Sequence, residues 1–178
     1  MSMPSITIPS SLLPLLQRPE TDTLPLRPQK PFSDAHRTTI SSLTPTLPIP
    51  VVGILHLLND DLDSAHTLVQ DDDANIDSNL IHSILHRREG DFWNSKWWLN
   101  QFTHPFLTTL YAERNLPGTQ GAKSFVDSIE NITKGATTAC AARRDVETAK
   151  NWQAKEHSEL TKFLCKKYNV ALPPQPHA

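Results

Sequence analysis

Five histidines, His56, His66, His82, His86 and His104, lie within 49 residues of a 178-residue chain that has eight in all. The densest stretch is "NLIHSILHRREGDFWNSKWWLNQFTHP", residues 79–105, which holds three of them together with three of the four tryptophans. On a helix, His82, His86 and Glu89 follow i, i+4, i+7 and fall along one line. By that spacing two helical histidines can share a divalent metal ion, with a carboxylate in reach. The same line suits general acid–base chemistry, since histidine titrates near neutrality and a neighbouring carboxylate raises its pKa. The third option is a pair of histidines hydrogen-bonded at a helix packing edge. H-x-x-x-H is not H-E-x-x-H, and no zinc-peptidase reading follows from it.

Other residues around this line could bind a substrate. Arg87 and Arg88 flank it, and Arg88 falls in the apolar sector set by Ile81, Ile84 and Leu85. A buried arginine needs a carboxylate or an anionic ligand. Asp61 and Asp63 are the expected internal partners; a substrate carboxylate or phosphate, gripped bidentately, is the alternative. Trp93 and Trp97, at i, i+4, share a face that is expected to pack on another helix, one carrying Trp152, or else to wall a pocket. His104 precedes Pro105 in a bend between helices. His56 and His66 sit in an upstream segment, and two stacked hairpins would bring them to His82 and His86 together with Asp60, Asp61 and Glu89. The candidate site is therefore His82, His86 and Glu89 as catalytic groups or ligands of a divalent metal. Arg87, Arg88, Trp97, His104, His56 and His66 are its binding residues. G-x-S-x-G, P-loop and G-x-G-x-x-G patterns are missing.

These groups are carried by helices. Ten of the fifteen prolines lie in residues 1–50, so residues 1–31 read as an extended, removable arm. "FSDAHRTTISSL" makes a short helix over 32–43 capped by Ser33 or Asp34, and "TPTLPIP" an extended crossing into Val51. Downstream the periodicity is helical, with few β-branched alternations and five glycines. Pro105 opens one helix, another closes near Gly135, and "ACAARRDVETAKNWQAKEHSELTKFLCKKYN" is one long amphipathic helix. "NDDLDSAHTLV" aligns with "EGDFWNSKWWL" at an offset of thirty, so that Asp61 matches Asp91, each placed to cap a helix after a tight turn. The expected fold is an all-α compact bundle of antiparallel helical hairpins, one domain over 32–170, with a tail over 171–178.

The turns resemble those of tetratricopeptide-like hairpins over about fifty residues, although the spacing is thirty rather than the family's 34. "HRREGDFWNSKWW" is more specifically similar to a motif of uncharacterised fungal and bacterial proteins, H-R-x-E-G-D-x-x-N-[AS]-x-[YW]-W. That likeness covers roughly residues 50–115 and implies no activity.

Composition excludes some partners. The net charge is −2, with 17 basic and 19 acidic residues, too little basic excess to neutralise a nucleic-acid backbone. Two cysteines, Cys140 and Cys165, make neither a disulfide framework nor zinc spacing. No leader pattern opens the chain and no apolar run nears the ~20 residues of a membrane span, so a cytoplasmic location without membrane contact is expected. The function expected is a hydrolase, lyase or isomerase acting on a small polar or anionic molecule, with His acid–base or metal-assisted chemistry. The alternative is an interaction module without catalysis.

Overall fold

The computed structural model describes residues 6–21, 24–135 and 139–174. Over these the chain is an all-α bundle. Its helices are α1 (Leu13–Thr21), α2 (Asp34–Ser42), α3 (Ile49–Leu58), α4 (Leu62–Val69), α5 (Ile76–Glu89), α6 (Phe92–Leu99), α7 (Pro105–Ala112), α8 (Thr119–Thr133) and α9 (Ala139–Lys167). No helix among the described residues is long and apolar enough to cross a membrane.

The centre of the bundle is α3. Its sequence, "IPVVGILHLL", is apolar all round apart from His56, and every residue from Pro50 to Leu58 is buried. A helix without a polar face must be enclosed, and α1, α2, α4, α5 and α9 pack around it. Pro50 lies in its first turn, where its missing N–H costs nothing. The helix therefore begins inside "TPTLPIP", and the extended crossing expected there is not found.

The aligned segments form two hairpins, α3–α4 and α5–α6, with the same turn. Asp60 and Gly90 both adopt left-handed φ, +56° and +92°. The next amide donates to the carbonyl five residues back, Asp61 N to His56 O at 3.0 Å and Asp91 N to His86 O at 2.9 Å, the closure of a Schellman turn. Asp61 and Asp91 then cap α4 and α6 with nearly equal dihedrals, φ −92°, ψ 74° and φ −85°, ψ 72°. Ser33 caps α2 by accepting from His36 N.

The proline-rich segment is not an extended arm. Ile6–Thr7 pairs in parallel with Val170–Ala171, which also draws the start of the expected tail into the fold. Leu13–Thr21 is helical despite Pro19 inside it. Ile8, Leu12, Leu15 and Leu24 are wholly buried, so the described part of this segment closes the core. The physical reason is spacing: these apolar residues form one face that outweighs the hydrogen bond lost at Pro19.

Candidate functional site

The helix α5 lies between α4 and α6, and its outer line carries His82 and His86. From α4, His66 stands edge-on to both rings, with centroids 4.8 and 5.0 Å away. His82 and His86 are stacked at 4.7 Å and 22°. The three residues can each point a ring nitrogen so that all lie within 4.8 Å of one another. Glu89 completes the group. One carboxylate oxygen accepts from His86 Nδ1 at 2.9 Å and the other lies 3.7 Å from His66 Nδ1. Thus the expected line of His82, His86 and Glu89 is present, and His66 joins it from the neighbouring hairpin.

The cluster is graded from inside to outside. His82 and His86 are each 4% exposed, whereas the side chains of His66 and Glu89 are 36% and 30% exposed. His82 is the most constrained. Burial, then the neighbouring His86 and His66, push its pKa down to about 3, so the ring is neutral at ordinary pH. Its Nδ1 is buried and has no hydrogen-bond partner. A buried lone pair or N–H without a partner costs on the order of 1–3 kcal/mol.

Two residues that the sequence did not single out shape this group. Trp98 lies flat on His82, 4.2 Å away and 27° from coplanar. Asn94 Nδ2 donates to His86 Nε2 at 3.1 Å, which leaves the proton of His86 on Nδ1, facing Glu89. Both follow from the hairpin: with Asp91 as cap and Phe92, Ser95 and Leu99 buried, positions 94 and 98 turn towards α5.

The remaining expected site residues are used elsewhere. Arg87 is buried and pairs with Glu156 of α9, which also accepts from Tyr111 at 2.7 Å. Arg88 pairs with Asp60 and donates to Leu57 O and Pro25 O; its carboxylate partner is neither Asp61 nor Asp63. Both guanidiniums are buried and paired with internal carboxylates. His56 Nδ1 meets Asp61 at 3.1 Å, and burial lowers its pKa. His104 Nε2 meets Asp77 at 2.8 Å while its Nδ1 accepts from Phe106 N to cap α7. Neither reaches the cluster, so His56, Asp60 and Asp61 do not converge on it. Trp97 touches Trp98 edge-on at 5.1 Å and is one ring removed from His82. Trp93 and Trp97 do not meet Trp152 as expected. They are 72% and 42% exposed, and Trp152 instead packs on Tyr111.

No protein-family model, curated protein or solved structure matches the chain. What the site can do is therefore argued from its donors. Three imidazoles and a carboxylate are a zinc-class set, suited to zinc, cobalt, nickel, copper or ferrous iron rather than to magnesium or calcium. Tetrahedral coordination at ordinary Zn–N lengths places donor atoms about 3.4 Å apart. The nitrogens here lie within 4.8 Å of one another, so the rings would draw closer to hold an ion.

Proposed function

We propose that the protein binds a divalent transition-metal ion through His66, His82 and His86 and uses it in hydrolysis, elimination or isomerisation of a small polar or anionic molecule. The observation that carries this reading is the orphaned nitrogen of His82, in a neutral ring that is sealed by Trp98 and faced by two further imidazoles. A metal ligand must be deprotonated, and His82 already is. A bound ion supplies Lewis acidity and lowers the pKa of a water to about 7. Glu89, partly exposed and hydrogen-bonded to His86, would serve as a further ligand or as the base that accepts a proton from the substrate water. Access is from the His66 and Glu89 side, because Trp98 and α5 close the other.

The test is cobalt binding by the full chain, read by visible absorption and calorimetry. Tight one-to-one binding that is lost in His82→Ala and in His86→Ala, both with helix content retained by circular dichroism, supports the reading. Wild-type protein that takes up no cobalt or zinc overturns it. The exposed indoles of Trp93 and Trp97 favour a second reading, an interaction module, because exposed tryptophan pairs are frequent anchors of protein interfaces. That module works equally well when the three histidines are replaced.

A further inference from the structure

Between the two hairpin turns and the chain that precedes α2 runs a groove of about 320 Å³. Its walls include Arg27 and Lys30 on one side and Asp63 and Glu89 on the other. Glu89 belongs both to this groove and to the histidine cluster, and Asp63 stands one helical turn before His66 on α4. Glu89 is thus the residue through which the groove adjoins the cluster.

Residues 24–33 form a strap with both ends fixed. Leu24 is wholly buried, and Pro25 O accepts from Arg88 Nη2 at 3.2 Å and from Gln153 Nε2 at 2.9 Å. At the other end, Phe32 N donates to Asn59 O at 2.7 Å and Ser33 N to Asn59 Oδ1 at 3.1 Å. Between the anchors, Pro25, Pro28 and Pro31 restrict φ and stiffen the chain. Arg27 is exposed yet positioned: its Nη2 donates to Glu89 O at 3.0 Å. The guanidinium lies over Gly90 so closely that a Cβ there would come within 2.5 Å of Cζ. A bare Cα at the turn is what gives Arg27 its place.

Charge pairing makes Arg27 and Lys30 distinct. Around the turns, Arg18 and Arg88 are paired with Asp60, Arg37 with Asp61, and Arg87 with Glu156. Among the described residues, Arg27 and Lys30 make no ion pair. Asp63 makes none either, and Glu89 meets only His66 and His86. Asp60 and Asp61 also line the groove but are spent on Arg18, Arg88 and Arg37, so its two cations without an ion pair face Asp63 and Glu89. A divalent ion on the cluster leaves the groove with an excess of positive charge beside it.

We infer that Arg27 and Lys30 hold an oxyanion group, a carboxylate or a phosphate, of the molecule on which the metal centre acts, and that anion and metal bind cooperatively. This rests on the metal reading of the cluster. The forked guanidinium matches either oxyanion bidentately and Lys30 adds a point charge. The volume is at the lower end for a small-molecule pocket, so the ligand is a small metabolite rather than a polymer. Reciprocity requires the metal to tighten anion binding by the factor by which the anion tightens metal binding.

Calorimetric titration of the full chain with acetate and with methylphosphonate, each with and without saturating cobalt, tests the inference. We expect one of the two to bind the cobalt-loaded protein at least tenfold more tightly than the metal-free protein, and the pair distinguishes a carboxylate from a phosphate-type ligand. Arg27→Gln should lose most of that affinity while the protein still binds one cobalt ion in the absence of anion. Arg27→Lys should recover it only in part, and Lys30→Gln should lose less. Cobalt binding with equal anion affinity in wild type and Arg27→Gln overturns the anion site alone. No cobalt binding overturns the metal reading, and the cooperativity with it.

Discussion

The α3–α4 and α5–α6 hairpins have the same turn, the same capping aspartate and a histidine at the same place, His56 in one and His86 in the other. Each histidine presents Nδ1 to a carboxylate, Asp61 at 3.1 Å or Glu89 at 2.9 Å. Their surroundings differ. At the first turn the polar groups are closed upon one another: Asp61 is the helix cap, the acceptor for His56 and the partner of Arg37. Asp60, in the left-handed position, holds two arginines. In the second hairpin a glycine takes the left-handed position, the cap Asp91 accepts from Asn94 N, and the carboxylate reaching His86 is one that also faces His66 and solvent. One backbone device thus carries internal ion pairs in one copy and an accessible donor cluster in the other. The inference that a site lies in the second copy rests on that contrast.

Exchanging the turn residues should break the contrast most strongly. Asp60→Gly removes the strain of a side chain at positive φ, worth roughly 1 kcal/mol. It also takes a carboxylate from Arg18 and strips the buried Arg88 of its ion pair, and an uncompensated buried charge costs about 3–5 kcal/mol. Net destabilisation of several kcal/mol in urea unfolding is expected. Gly90→Ala should cost less, about 1–2 kcal/mol, from positive φ and the collision with Arg27. Equal losses at the two turns would show that Asp60 is not what anchors the arginines.

Metal linkage should act on the second hairpin and not on the internal pairs of the first. An ion held by His66 of α4 and by His82 and His86 of α5 joins the two hairpins. At a hundredfold excess of free zinc over its Kd, unfolding should become harder by about 2.7 kcal/mol. His86→Ala should abolish the gain, while His56→Ala, at the equivalent position, should keep it. A zinc-induced rise in Tm that survives His86→Ala would place the ion elsewhere.

Acidification probes the buried histidines in both copies. His82 is held down to about 3 by burial and by its neighbouring imidazoles, and burial also lowers His56 and His157. In the unfolded chain each takes up a proton near pH 6.5, while the folded protein keeps them neutral. The unfolded state therefore binds more protons, and stability present above pH 6.5 is lost as the pH falls towards the folded pKa values. Each such histidine contributes a slope of at most about 1.4 kcal/mol per pH unit. Urea unfolding between pH 7 and 5 should show a shallower slope in His82→Gln than in wild type; parallel slopes would mean that His82 is solvated enough to titrate normally.

Much of this was legible because hairpins are local. The thirty-residue alignment, Gly90 before Asp91, and Pro105 after His104 each specify a turn or cap through neighbouring residues alone, and the structure has all of them. The line of His82, His86 and Glu89 follows from helix period. What was not legible depends on distant partners. Nothing near Arg87 or Arg88 shows that Glu156, 69 residues on, and Asp60 will meet them. The proline count hid the buried Ile8, Leu12 and Leu15, in a segment whose α1 packs on α3 and α9. Arg27 gave no signal, because its place depends on a strap that was read as an arm. Trp93 and Trp97 were assigned to packing by type; in fact Phe92, Ser95 and Leu99 already fill that face of α6, and the indoles are left outside.

The smallest difference between the copies should lie in the caps. Asp91 accepts from Asn94 N at 3.0 Å, is exposed, and makes no ion pair among the described residues. Replacing it with alanine should cost only a cap, about 1 kcal/mol. Asp61 accepts from Ser64 N at 3.4 Å, a poorer cap by distance, but it also receives buried His56. Asp61→Ala strands that imidazole, adding about 1–3 kcal/mol for an unmade buried hydrogen bond. The order of the two losses, Asp61 greater than Asp91, is the measurement that matters, read as urea midpoints at constant m-value. A larger loss at Asp91 would mean that the second turn carries more than a cap. Its connection through Asn94 to His86 would then be part of what holds the cluster in place. The double variant Asp91→Ala, Asn94→Ala, compared with both single variants, would separate these two contributions, because a cap independent of the Asn94 side chain makes the two losses additive.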